Sequence, residues 1–110
     1  MFAPTARLLQ RVCRLTLFTR QGCALCDNAK GVLSNVWDKR PFEYTEIDVM
    51  APGQQKWKDV YEFDTPVIHV EKMPANEGQE TTTAARKLMH RFKEEQVEAL
   101  MEEAEKDTAE

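Results

Sequence analysis

A chain of 110 residues, 42% of them hydrophobic, has room for one domain with one modest core. Its net charge of −4 gives no reason to expect a nucleic-acid partner, and no apolar run approaches the roughly 18 residues needed to cross a bilayer, so a soluble chain with no membrane partner is expected. Three cysteines, an odd number, do not make a secreted disulfide framework and suggest a reducing compartment.

The first segment, "MFAPTARLLQRVC" (1–13), is basic. Arg7, Arg11, Arg14 and Arg20 all precede the first acid, Asp27. It reads either as an N-terminal arm or as a short targeting segment, so the expected location is mitochondrial or cytoplasmic, tilted to mitochondrial. Cys13 reads as a bystander thiol in front of the first strand. That strand is "RLTLFT" (14–19), with Leu15, Leu17 and Phe18 among β-branched threonines. A helix is expected over 24–38, where Leu25, Ala29, Val32, Leu33, Val36 and Trp37 recur on one face and Arg40-Pro41 ends the run.

"FEYTEIDV" (42–49) is the second strand, and a short helix follows with Trp57, Val60 and Tyr61 on its inner face. "TPVIHV" (65–70) is the third strand, with a proline where a missing N–H does least harm. After a polar loop, "KLMHRF" (87–92) pairs with it as a hairpin, and the last helix runs from Lys93 to Lys106 with Val97, Leu100, Met101 and Ala104 inward. The end, 107–110, is an acidic tail. The order β-α-β-α-β-β-α predicts an α/β domain over 14–106: a four-stranded mixed sheet with helices on both faces, its first crossover right-handed.

Chemistry concentrates at "GCALCDN" (22–28). Cys23 and Cys26, two residues apart, could be half of a zinc site, a redox couple or two buried thiols. Zinc needs two more ligands. Cys13, His69 and His90 are the remaining soft candidates and form no second close pair; His69 reads as a core residue and His90 as a partly exposed strand residue, so no metal is expected. At a helix N-terminus, backbone N–H groups and the helix dipole stabilise a thiolate on Cys23, and Arg20 adds positive field. Cys26, one turn inside, is close enough to attack a mixed disulfide on Cys23.

"LTLFTRQGCALCDNAKGVL" (15–33) and "DTPVIHV" (64–70) resemble the corresponding segments of the glutaredoxins, within the thioredoxin superfamily. The similarity is greatest to a glutaredoxin-like branch with Leu before the second cysteine. The resemblance implies a thioredoxin-like fold, a cis Thr65–Pro66 bond beside Cys23, and thiol–disulfide oxidoreductase activity in cell redox homeostasis, with Cys23 and Cys26 catalytic. It implies that Arg20, Thr65 and Pro66 contact substrate or glutathione, with glutathione a co-substrate and no cofactor bound. The partners it implies are protein disulfides or glutathione mixed disulfides, and a monomer is expected. Ala24-Leu25 stands in place of the family's Pro-Tyr, and "MHRFKEEQ" (89–96) in place of its Gly-Gly and following Asp. Weak glutathione binding and better activity on extended protein substrates are therefore expected. Two other readings are a non-catalytic thioredoxin-fold binding or assembly module, and metal or iron–sulfur handling through Cys23.

Overall fold

The computed structural model describes residues 13–74 and 78–106; the N-terminal arm and the acidic tail lie outside the described residues, Cys13 excepted. Seven elements follow the expected order: β1 (Cys13–Thr19), α1 (Ala24–Lys39), β2 (Glu43–Asp48), α2 (Gln55–Tyr61), β3 (Val67–Lys72), β4 (Arg86–Met89) and α3 (Glu94–Glu105). The strands lie in the order β2-β1-β3-β4. β1 runs parallel to β2 and antiparallel to β3, which pairs antiparallel with β4.

Side chains alternate across the central strands, so each face has its own set. Leu15, Leu17, Ile68 and Val70 meet α1 (Ala29, Leu33, Val36) and α3 (Val97, Met101, Ala104) in one aliphatic core. On the other face Phe18 and Val67 meet Trp57 and Tyr61 of α2, together with Val49. Burying a side chain such as Leu17, which is 0% exposed, contributes roughly 1.5–3 kcal/mol. α1 and α3 are further tied by Lys39, which pairs with Glu94 at 3.1 Å and Glu98 at 3.2 Å. No helix among the described residues is long and apolar enough to cross a membrane.

Several local expectations are corrected. Cys13 opens β1 and is buried, its thiol directed at the Met101 carbonyl at 3.5 Å. β3 starts at Val67 rather than residue 65 and continues to Lys72, because β1 supplies partners as far as Cys13. β4 stops at Met89: His90 adopts a left-handed φ of 67°, which ends the ladder, so His90 is not a strand residue. Val60 points outward from α2 and Trp37 from α1, at 46% and 38% exposure. Trp37 still satisfies its indole N–H by donating to the Phe42 carbonyl at 3.0 Å.

Candidate functional site

β1 ends at the buried Thr19, and a turn carries the chain to α1. Gly22 sits there at φ +73°, a conformation that costs an L side chain about 1–2 kcal/mol. Cys23 is the N-cap of α1, with extended backbone, and its Sγ accepts the Cys26 backbone N–H at 3.1 Å. The Cys23 carbonyl accepts from Cys26 and Asp27 at 3.1 and 3.2 Å. The two sulfurs are joined as a disulfide, with Cα atoms 5.2 Å apart. Exposure separates them: Cys23 is half-buried, whereas Cys26 is 1% exposed.

Thr65 faces this pair. Its hydroxyl lies 3.9 Å and its carbonyl oxygen 4.0 Å from Cys23 Sγ, and the Thr65–Pro66 peptide bond is cis. The loop carrying Thr65 is fixed from three sides. Arg20 Nη1 donates to the Glu62 carbonyl at 2.8 Å, the Asp64 N–H donates to the Tyr61 carbonyl at 2.9 Å, and the His90 N–H donates to the Pro66 carbonyl at 2.7 Å. His90 Nε2 also lies 3.4 Å from Asp64 Oδ1. Cys23, Cys26, Thr65 and Pro66 thus converge, and Arg20 reaches the same place through the Glu62 carbonyl.

Sequence reasoning overlooked the clamp by His90 and overlooked Phe63. The latter is 87% exposed, two residues before Thr65 and between two residues whose backbone is held, Glu62 by Arg20 and Asp64 by the Tyr61 carbonyl. Its signal was available: an aromatic between acids in "YEFDTP" (61–66), outside any periodic apolar pattern.

Beneath the loop, His69 is 0% exposed. One ring nitrogen lies 2.7 Å from the Tyr61 hydroxyl and the other 2.8 Å from the Thr81 hydroxyl. Burial, then the positive charges of Lys87 and Arg14, lowers its pKa to about 4, so the ring is neutral at pH 7. Burial and then Asp64 raise the Tyr61 phenol above its ordinary value. Among the described residues, no group of three or more His, Cys, Asp or Glu is placed to hold a metal ion.

A family model described as "Glutaredoxin-like domain (DUF836)" matches residues 14–102. The chain belongs to this glutaredoxin-like family. Its fold is thioredoxin-like, and a solved structure described as the "X-ray structure of Northeast Structural Genomics target protein XcR50 from X. campestris" shares it. The two superpose with a TM-score of 0.58 at 21% identity, covering 82% of this chain and 97% of the other. At that identity the likeness concerns the fold alone.

Within this glutaredoxin-like domain, His90, Arg91 and Phe92 occupy the connection between β4 and α3. With Leu25, Asn28, Ala29 and Val32 of α1 they border a cavity of about 150 Å³, Leu25 being the residue before Cys26. Phe92 is 8% exposed and belongs to the core, while Arg91 is exposed.

Proposed function

We propose that the protein is a thiol–disulfide oxidoreductase working through the Cys23/Cys26 dithiol. The observation carrying this reading is the asymmetry of the pair. Cys23, accessible at a helix N-terminus, accepts a backbone N–H on its sulfur; Cys26, one turn inside, is buried. The donated N–H and the helix terminus favour a thiolate on Cys23 over one on Cys26.

In the reduced protein the Cys23 thiolate attacks one sulfur of a target disulfide. A Cys23–target disulfide forms and the other target sulfur leaves as a thiolate. Cys26, losing its proton, attacks Cys23 Sγ; the Cys23–Cys26 disulfide forms and the second target thiolate is released. Two electrons pass to the target, and the two target thiolates take up two protons. Two glutathione molecules, or a dithiol reductase, return the pair to the dithiol by the reverse exchange. The Thr65 backbone presents an edge along which an extended substrate segment aligns, with the Tyr61–Pro66 loop pinned by Arg20 and His90. Protein disulfides suit this arrangement better than small glutathione adducts, because the family's Gly-Gly, which lets a tripeptide backbone approach, is replaced here by residues with side chains, the exposed His90 and Arg91 among them.

The test is trapping. Cys26→Ser should accumulate a mixed disulfide at Cys23 with a protein disulfide substrate and lose multiple turnover, while Cys23→Ser should lose every exchange step with the fold intact by circular dichroism. Unchanged turnover in both variants would show the pair to be a bystander and favour a binding module.

A further inference from the structure

We propose that the cavity beside Leu25 is a side-chain subsite selecting polypeptide substrates with an acidic residue next to the target cysteine; this rests on the oxidoreductase reading above. Position is the first argument. Leu25 lies between the two cysteines, and the opposite wall is the segment 90–92. That wall is joined to the substrate-facing loop, since the His90 N–H holds the Pro66 carbonyl at 2.7 Å. An extended peptide with its sulfur at Cys23 and its backbone along Thr65 therefore passes the mouth of this cavity, and its neighbouring side chains alternate toward and away from it.

Size is the second argument. About 150 Å³ is room for roughly five water molecules, at about 30 Å³ each, and so for one side chain. Pockets for whole drug-sized molecules start at about 300 Å³.

Charge is the third. Arg14, Lys30, Lys39, Arg40, Lys56 and Arg86 each pair with a glutamate. Arg91, exposed at the cavity, has no ion pair among the described residues. No carboxylate borders the cavity among the described residues; Asp64 Oδ1 lies 3.4 Å from His90 Nε2, and Asp27 stands in the first turn of α1. Leu25, Ala29, Val32 and Phe92 accept methylene groups, Asn28 and His90 add polar groups to the lining, and the Arg91 guanidinium offers paired donors to a carboxylate. A glutamate side chain has both parts. A glutathione carboxylate shares the chemistry, and the test separates the two.

The test uses the Cys26→Ser protein and short peptides whose single cysteine is activated as a mixed disulfide with thionitrobenzoate. The Cys23 thiolate attacks the peptide sulfur, a Cys23–peptide disulfide forms, and thionitrobenzoate leaves and is read by its colour. Peptides differ only in Glu, Gln or Lys beside the cysteine, and rates are normalised to the same peptides reacting with a small dithiol. Activated glutathione forms the second arm. Glu should exceed Gln by about threefold, the size of one exposed charge pair, with Lys slowest. Arg91→Ala should bring the Glu and Gln peptide rates together, and Arg91→Glu should reverse the preference. Equal normalised rates for the three peptides, or a Glu preference surviving Arg91→Glu, overturns the subsite. Faster reaction of activated glutathione than of the Glu peptide, lost in Arg91→Glu, assigns the cavity to glutathione instead. Failure of every reagent to load Cys23 removes the oxidoreductase reading and this inference with it.

Discussion

The two faces of the sheet are filled by different means. Toward α1 and α3 the contacts are aliphatic: Leu15, Leu17, Ile68 and Val70 against Ala29, Leu33, Val36, Val97 and Met101. Toward α2, only seven residues long, the contacts are aromatic and polar. Phe18 lies 4.6 Å from Trp57 and 5.0 Å from Tyr61 between ring centroids, and His69 is hydrogen-bonded on both sides. The first face holds α1, and therefore the cysteine pair, by volume. The second holds the Tyr61–Pro66 loop, and therefore Thr65, by bonds with direction. A site assembled across both faces is sensitive to lost packing on one and to protonation on the other.

The largest effect should come from the aliphatic face. Leu17→Ala removes a fully buried side chain between β1 and the two helices and should cost about 2–5 kcal/mol in urea unfolding. Below the unfolding transition, alkylation of Cys23 should keep the wild-type rate, because no group at the cysteines changes. A loss under about 1 kcal/mol would show that this face is not what anchors α1.

Protonation should act through the polar face. A neutral His69 with its pKa lowered to about 4 stabilises the fold above the ordinary histidine value of about 6.5. Unfolding exposes a ring that takes its proton more readily, so stability falls as the pH drops from about 6.5 through 4. At about 1.4 kcal/mol per pKa unit, this residue should contribute roughly 3 kcal/mol to that fall. His69→Gln, which keeps a donor and an acceptor for Tyr61 and Thr81, should flatten the difference between stabilities at pH 7 and pH 4. Carboxylates titrate in the same interval, so the reading is wild type minus variant. Equal acid losses in the two proteins would remove His69 from the account.

The same division explains what could be read without a structure. The order of elements was legible because each central strand and long helix carries its own local apolar period, as in "RLTLFT" or the run from Leu25 to Val36. Cys23 and Cys26 were legible because two residues of helix hold them together whatever the rest does. The end of β4 was not, since a left-handed His90 leaves no mark on composition and Phe92 looks like one more strand residue when it is in fact part of the core. The clamp on Thr65 was hidden for another reason. Arg20, Glu62, Asp64 and His90 come from three separate segments that meet only through the sheet order.

A smaller effect, of about 1 kcal/mol, tests the joint between the faces. Gly22 links β1, buried on both sides, to the Cys23 cap. A Cβ there would meet nothing within 4 Å, so Gly22→Ala carries only the backbone cost of φ +73°. Stability should fall by about that amount, with part of the strain relieved by moving Cys23. Exchange at Cys23 should therefore slow more than the Leu17→Ala protein's does, although the stability loss is smaller. The reverse ranking would mean that the turn is slack and the cap is set by α1 alone.

The smallest effect should come from Phe63, which packs in neither face. At 87% exposure it has little to lose on truncation, and substitutions at such surface positions usually change stability by less than about 0.5 kcal/mol. Yet its neighbours are held, Glu62 by Arg20 and Asp64 by its own N–H to the Tyr61 carbonyl, so the ring stands on a fixed base two residues from Thr65. An exposed aromatic on a rigid loop gains contact area with a partner while losing little freedom, the usual make-up of an interface anchor. Phe63→Ser should leave the urea midpoint unchanged and raise KM for a folded protein disulfide about threefold to fivefold. Turnover of a small disulfide such as an activated thionitrobenzoate should stay at the wild-type rate, since that reagent reaches Cys23 without covering the loop. Equal slowing on both substrates would place Phe63 in the alignment of Thr65 rather than in contact with a partner. No change on either would leave the pinned loop serving the cysteine pair alone, with the substrate entering from the Arg91 side.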